Sequence, residues 1–335
     1  MPLITLNKNN FFNNLDIIAK RTSSKDKIAI VLKDNAYGHG LLEMAEMSKE
    51  YGITKAIVQT YTEAQKIESF FDYILVLGDN GKVSKKIRYT INDINSIEKF
   101  SKNSLVELKV DTGMHRNGIA MSELKEAFKK IKNAGLVLEA IFTHHRSADE
   151  LTSEWFWQNK TFAKVKKESE VLAKEFGFSK PRFHSANSAS LFRAKSFDED
   201  MVRVGLAAYG YIESSFIEAD LKPVLSLIAQ KNSSRFLKYG ERIGYGATFT
   251  AYEDMQVSNY DFGYGSGFLR SCSNSYETPD GEKLIGRVSM DNSSFISDKD
   301  ELLVFDNAKP MAKSADTIVY EVLTSLKSDI KRVLL

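Results

Sequence analysis

The 335-residue chain holds a single cysteine, Cys272. It can form no intrachain disulfide, which excludes a stapled secreted scaffold and leads us to expect a reducing, cytoplasmic compartment. No apolar run approaches the roughly 18 residues a membrane span needs. The start, Met-Pro-Leu-Ile-Thr-Leu-Asn-Lys-Asn-Asn, lacks a basic segment followed by an apolar core. An excess of charge is also missing, with 46 Lys plus Arg against 44 Asp plus Glu. Neither nucleic acid nor a membrane surface is therefore expected as a partner. What remains is the composition of an ordinary globular protein, long enough for one large domain and a smaller one.

The first two-thirds alternates short apolar strands with amphipathic stretches. Strands are expected at 28–33, 55–59, 73–77, 88–92, 105–111, 137–143, 181–184 and 200–205, with helical patterns at 40–51, 61–70, 122–134 and 150–176. The segments 88–92 and 181–184 are the weakest, which leaves a count of eight or seven. Eight strands in βα alternation predict an N-terminal (β/α)₈ TIM barrel, whose chemistry sits at the C-terminal strand ends. After about residue 215 the helical period fades. β-branched and aromatic residues recur between Gly, Asn and Ser turns, at 223–230, 239–250, 257–264, 283–290 and 301–305. The expected division is a barrel over 1–215 and a mostly β domain over 216–335, with a helix at 314–325 and a short terminal strand.

Reactive side chains gather where the barrel places its chemistry. Lys33 ends the first strand, Lys109 and Asp111 the fifth, His144 the sixth and His184 the seventh, and Arg203 lies on the eighth. All five histidines fall within or beside these strand ends. Lys109 and Asp111 share one face of their strand, and Asp111 offsets part of the repulsion between Lys109 and Arg116. A plain structural Lys–Asp pair is the other reading of that segment. His144 and His145 are neighbours on a strand and face opposite ways, so they do not ligate one metal together, and no metal is expected. His184-Ser-Ala-Asn-Ser-Ala-Ser190 opens a helix with groups that either cap it or bind an anion there.

Seven segments taken in order resemble the alanine racemases. They are Lys33-Asp-Asn-Ala-Tyr-Gly-His-Gly40, Lys109-Val-Asp-Thr-Gly-Met-His-Arg-Asn-Gly118, Thr143-His-His-Arg-Ser-Ala-Asp-Glu150, His184–Ser190, Arg203-Val-Gly-Leu206, Gly244-Tyr-Gly-Ala-Thr-Phe-Thr250 and Gly286-Arg-Val-Ser-Met-Asp291. Gly263-Tyr-Gly-Ser-Gly-Phe-Leu-Arg270 matches more loosely. The resemblance implies a homodimeric isomerase that interconverts L- and D-alanine through an aldimine of pyridoxal 5'-phosphate on Lys33, supplying D-alanine for peptidoglycan. It implies two catalytic bases, Lys33 and the partner subunit's Tyr245. Desolvation and Arg116 would tune the first, and a His144–Arg203 relay the second.

By the same resemblance Tyr37, Asn187, Ser188, Gly205 and Leu206 hold the phosphate, His144 faces the cofactor, and Arg203 donates to the pyridine nitrogen. Arginine keeps its proton, so that nitrogen stays unprotonated, which favours racemisation over transamination. Arg116 and Met290 would meet the substrate carboxylate, and Lys109 would be carbamylated. Asp149, Tyr264, Arg270, Arg287 and Asp291 would line the entrance or support it. Two departures stand out. His145-Arg146 replaces Phe-Ala and is expected to add positive charge at the rim. Leu334 stands where a gate tyrosine is usual, which leaves open a racemase accepting serine or larger amino acids. Two rivals remain: a non-catalytic barrel that stores the cofactor, and a decarboxylase of the same fold. A decarboxylase would need a catalytic cysteine, and Cys272 has no motif around it.

Overall fold

The computed structural model describes residues 2–335. It divides into two compact units, neither continuous in sequence. One comprises Phe12–Asp34 and Met44–Leu221, the other the segment up to Phe11 with Asn35–Glu43 and Lys222–Leu335. The first strand, β1 (Leu3–Leu6), belongs to the second unit and is absent from the expected set. Helix α1 (Lys8–Thr22) follows it.

The first unit is a barrel of eight parallel strands. They are β2 (Ile28–Val31), β3 (Lys55–Val58), β4 (Tyr73–Val76), β5 (Ile87–Ile91), β6 (Leu105–Lys109), β7 (Val137–Phe142), β8 (Arg182–His184) and β9 (Val202–Val204). The sheet runs β8-β7-β6-β5-β4-β3-β2-β9. Its two ends approach through an Asn187–Arg203 bridge and an Arg203 N–H donated to Ala186 O at 3.0 Å, which nearly closes the ring. Strands such as Ile-Ala-Ile-Val and Tyr-Ile-Leu-Val are buried on both faces. That is why they read as continuous apolar runs and not as alternation.

A helical turn, α2 (Lys33–Tyr37), follows β2, then come α3 (Leu41–Tyr51), α4 (Tyr61–Ile67), α5 (Leu124–Asn133), α6 (Glu154–Phe176) and α7 (Ser188–Arg193). Phe128 and Ile131 of α5, with Phe162, Val165 and Leu172 of α6, pack on the outer faces of β6 and β7 at helical spacing. Two connections depart from strict βα alternation. Among the described residues no helix joins β4 to β5, where Gly78-Asp-Asn-Gly81 turns the chain, and a 3₁₀ segment over Ile94–Lys99 precedes β6.

The second unit is built on one sheet. It contains β1, β10 (Leu225–Leu237), β13 (Met255–Tyr260), β14 (Leu284–Ile285), β15 (Ser293–Phe295), β16 (Glu301–Phe305) and β17 (Lys331–Leu334). β1 pairs antiparallel with β10 and parallel with β17, so both ends of the chain enter the same sheet. The β-rich stretch over 239–250 is a hairpin, β11 (Arg242–Ile243) and β12 (Phe249–Thr250), around a turn at Tyr245–Ala247. Of the helix expected at 314–325 only the later part is helical, as α9 (Val319–Ser325), while α8 (Ala308–Ser314) ends where that helix was expected to begin. Asp316 at φ +53° separates them.

Candidate active site

Lys33 lies two residues beyond the end of β2, at the mouth where the C-terminal strand ends converge. Its amine pairs with Asp34 at 3.2 Å. Asp34, Asn35, Ala36 and Tyr37 all have φ between +50° and +55°, a left-handed turn made without glycine. Each such residue costs about 1–2 kcal/mol, so the turn persists only because its surroundings hold it. Glu63 accepts the Asp34 N–H at 2.9 Å. Asn35 accepts the Leu41 N–H at 2.9 Å, and the Arg332 guanidinium donates to Gly38 O at 2.7 Å. The Tyr37 ring packs edge-on against Tyr320 at 5.5 Å.

The opposite side of the mouth is cationic. Lys109 ends β6 almost fully buried. Burial, then Arg203, then Arg116 lower its pKa to about 8, with Asp111 opposing in part. Asp111 has another task than neutralising Lys109. Its carboxylate accepts the N–H groups of Gly113 and Met114 at 2.9 Å and of His115 at 3.1 Å, capping the turn that leads to the exposed Arg116. The Asp111 carboxyl sits below its usual range because these bonds outweigh its partial burial. His144 stands among Lys109, Arg116 and Arg203. Burial and then those charges hold it well below the ordinary imidazole range, so it is neutral.

Arg203, in the middle of β9, is the hub. Nη1 donates to His184 Nδ1 at 2.8 Å, and Nη2 donates to Thr143 O at 2.8 Å, Ser185 O at 2.9 Å and His144 Nδ1 at 3.3 Å. A guanidinium has only donors, so both histidines accept through Nδ1 and carry their proton on Nε2. His184 Nε2 then donates to Glu107 at 2.8 Å. Burial raises Glu107, but His184, Arg182 and Tyr73 overcome it and bring its pKa down to about 2, against an ordinary 4.5. Its depressed pKa stabilises the fold above about pH 4.5, and that contribution is lost as pH falls toward 2.

Asn187 and Ser188 begin α7, but both carry structural bonds. Asn187 caps the helix by accepting the Ser190 N–H at 2.9 Å. Ser188 Oγ accepts from Gly205 N at 3.2 Å and Ala207 N at 3.3 Å, which joins this segment to the Gly205-Leu206 turn and leaves the hydroxyl proton to be donated. The expectation that His145 and Arg146 charge the rim is not met. His145 is buried against Ser190 at 2.8 Å, and burial takes it down to about 4, so it is neutral. Arg146 pairs with Glu154 at 2.5 Å. Asp149 is exposed in a loop whose carbonyls, Ser147, Ala148, Glu150 and Thr152, are gathered by Arg193.

The remaining site candidates lie in the β unit. Tyr245 is 68% exposed on a tight turn flanked by Gly244 and Gly246, both at positive φ. The Arg287 guanidinium sits against Gly246, where a Cβ would meet Nη1 at 3.1 Å. Met290 O accepts from Gly265 N at 2.7 Å and Ser289 O from Tyr264 N at 3.0 Å, which fixes the segment holding Tyr264, Met290 and Asp291. A Cβ on Gly263 would lie 2.4 Å from Met290 O and 2.5 Å from Ser289 O, both main-chain atoms. Gly263→Ala should therefore destabilise this unit by about 1–3 kcal/mol, read as a lower denaturant midpoint. An unchanged midpoint contradicts this packing. Arg270 opens a 3₁₀ turn over Arg270–Cys272 and is exposed.

Glu107, which backs the site through His184 and is itself held by Tyr73 and Arg182, is a residue that the sequence reading missed. A signal was present, since Glu107 lies two residues before Lys109 on the same strand face.

The barrel mouth thus offers donors and cations. Lys33 supplies an amine, Ser188 a hydroxyl, α7 its first backbone N–H groups, and Lys109, Arg116 and Arg203 positive charge. This set fits an anionic cofactor that carries a carbonyl and a phosphate. Residues 6–213 match the alanine racemase N-terminal domain family and residues 224–334 the alanine racemase C-terminal domain family. The chain belongs to the alanine racemase family. It is 45% identical to the alanine racemase of a Nitratiruptor species over 334 residues, covering 99% of each chain. It is 42% identical to that of Campylobacter curvus, again over 99% of each. Among solved structures it resembles the alanine racemase of Bacillus anthracis with bound L-Ala-P, at TM-score 0.87 and 26% identity, covering 100% of this chain and 95% of that one. A histidine racemase of Leuconostoc mesenteroides subsp. sake shares the fold at TM-score 0.85 and 23% identity, covering 100% of this chain and 98% of that one.

Proposed function

We propose that this chain is an alanine racemase that uses pyridoxal 5'-phosphate and works as a homodimer. The observation that carries this reading is the cationic barrel mouth. Lys109, Arg116 and Arg203 surround a neutral His144 at the strand ends beside Lys33 in a family whose relatives are named for racemising alanine. When bound, pyridoxal 5'-phosphate supplies the electron sink that makes the substrate Cα–H acidic. Lys33 would hold it through its amine. Ser188, the start of α7 at Asn187, Tyr37 and the Gly205-Leu206 turn would hold its phosphate, with His144 against it. Arg203, whose Nη atoms are engaged by carbonyls and imidazoles, would turn Nε toward the ring nitrogen. Lys109, lowered to about 8, has enough neutral amine to take up carbon dioxide as a carbamate, an anion that would hold Arg116 toward the substrate carboxylate.

Inversion needs proton transfer on both faces of a planar carbon. Lys33 would serve the D-alanine face. The phenol of Tyr245 from a second copy would serve the L-alanine face, with the Met290 backbone near the substrate carboxylate. Tyr264, Arg270, Arg287 and Asp291 would form the approach, with Asp149 at the barrel rim. Tyr245, Met290 and Tyr264 are 68%, 55% and 43% exposed in one copy, which supports a partner covering them. The match of residues 224–334 to the C-terminal domain argues against a barrel that only stores cofactor. The D-alanine would feed peptidoglycan synthesis in the cytoplasm, a location supported by the lone, buried Cys272.

The test is a coupled D-alanine assay on cofactor-loaded protein given L-alanine, with L-serine in parallel. D-alanine formation well above that of D-serine is expected. Serine turnover equal to or above that of alanine would favour the broader racemase suggested by Leu334, 42% exposed where the family carries a tyrosine. Formation of neither would overturn the reading.

A further inference from the structure

We propose that Glu107 is a positioning residue: by keeping the His184 proton on Nε2, it leaves Nδ1 as the acceptor that orients the Arg203 guanidinium. The inference rests on the racemase reading only for the role of Arg203. The hydrogen-bond path stands by itself.

Every atom within hydrogen-bond reach of the Arg203 Nη nitrogens is neutral: the carbonyls of Thr143, His184 and Ser185 and the imidazoles of His144 and His184. A buried guanidinium without a carboxylate in contact needs a counter-charge close behind. Glu107 supplies it one residue away, through His184, and Glu199 adds a second from the Ser185–Ala186 turn. Glu107 has no exposed side-chain surface, and both its carboxylate oxygens meet named donors. His184 Nε2 lies at 2.8 Å, Tyr73 Oη at 2.5 Å and Arg182 Nη2 at 3.0 Å.

The path continues away from the mouth. Arg182 also meets Glu139 at 3.1 Å, and Glu139 meets Arg88 at 2.8 Å. The guanidinium groups of Arg88 and Arg182 lie 4.8 and 5.0 Å from the Tyr73 ring, in a cleft at the N-terminal strand ends that Lys55 also lines. Charge thus alternates along the barrel interior, from Arg182 through Glu107 and His184 to Arg203. The Phe142 ring stacks on His184 at 4.7 Å with a 9° interplanar angle, which holds the imidazole in the plane this path needs.

The tautomer is fixed from both sides. Glu107, ionised, accepts only, so His184 Nε2 must donate. Arg203 donates only, so Nδ1 must accept. Remove the carboxylate and the first constraint is gone; the second then lasts only where the guanidinium, without its nearest counter-charge, stays against Nδ1, so the proton is free to sit on either nitrogen.

The experiment uses ¹⁵N-histidine-labelled, cofactor-free full-length protein together with kinetics of the loaded enzyme. In the parent, the His184 ring should give one neutral tautomer, with the proton on Nε2 and an unprotonated, hydrogen-bonded Nδ1. In Glu107→Leu this signal should become a mixture of tautomers. Arg182→Leu, at a half-exposed position, should shift the ring signals in the same direction by less, and it provides a second variant should Glu107→Leu not fold. In Glu107→Gln, kcat should fall by about 10–100-fold, taking as a guide the loss seen when the outer partner of a metal-ligating imidazole is removed, with KM for alanine nearly unchanged. Lys180→Ala, whose native lysine lines the same cleft but pairs with Glu170, should leave both readouts unmoved. A parent His184 proton on Nδ1, a tautomer unchanged in both leucine variants, or an unchanged kcat in Glu107→Gln would overturn the proposal. Absent racemisation in the parent, with the ring signals as described, would sink the functional reading and leave the Glu107–His184–Arg203 path standing.

Discussion

Lys33→Ala is expected to abolish racemisation, by about 10⁴-fold or more, because under the proposed function it removes a general base of about 10²–10⁴-fold value together with the covalent anchor of the cofactor. The fold should survive. Lys33 lies outside β2 and is half-buried, and its amine pairs with the adjacent Asp34. Thermal unfolding of the variant should therefore match that of the parent, while the visible absorbance of covalently held cofactor disappears. A variant that keeps both that absorbance and its turnover would remove Lys33 from the chemistry. The left-handed turn after Lys33 makes this position more than a surface lysine. Four non-glycine residues in a row at positive φ are held by Asn35, Glu63 and Arg332, a local cost that a plain strand-to-helix connection would not carry.

The second large effect is expected at Tyr245. Tyr245→Phe keeps the ring and removes one oxygen from a residue that is 68% exposed and flanked by glycines, so stability should not change. Racemisation should drop by about 10²–10⁴-fold. The loss should be one-sided. In deuterated water, D-alanine should still exchange its α-proton through Lys33 and be recovered as D-alanine. Exchange of L-alanine should nearly stop. Equal loss of exchange for both enantiomers would contradict a two-base arrangement, and equal retention would mean that another group serves the second face.

Most of the barrel was legible because its strands are buried on both faces and appear as apolar runs closed by polar turns. All eight observed strands overlap expected ones, including Ile87–Ile91 and Arg182–His184, the two weakest. β1 was not legible. Leu-Ile-Thr-Leu is four residues long, and its partners, Leu225–Ile228 and Lys331–Leu334, lie more than 200 residues away. The hairpin around Tyr245 shows in the sequence only as one β-rich stretch, because a two-residue strand on each side of a glycine turn carries too little periodicity to be seen.

Among the candidate site residues, strand-end position placed Lys33, Lys109, His144 and Arg203 at the barrel mouth, since a barrel dictates where its strand ends converge. Contacts made by bending out of a strand were not readable. Asp111 shares the Lys109 face by alternation, but the chain turns at Gly113 and draws its carboxylate onto three backbone N–H groups. His145 was expected as a charge, and burial against Ser190 and Trp155 makes it neutral. Glu107 was hidden for the converse reason. A carboxylate within an apolar strand looks like an exposed edge residue until its three donors, from two other strands, are brought to it.

The measurement that bears most directly on an active site shared between copies is subunit mixing. Lys33→Ala and Tyr245→Phe chains, each expected to be inactive alone, are co-expressed with different tags, and the mixed population is assayed for D-alanine formation. If each site joins Lys33 of one copy to Tyr245 of the other, a mixed dimer has one doubly defective site and one with both native residues. Random pairing then restores about one quarter of the parent activity, and the purified mixed dimer about one half. Activity no higher than that of the two variants alone would contradict the shared site and place both bases within a single chain.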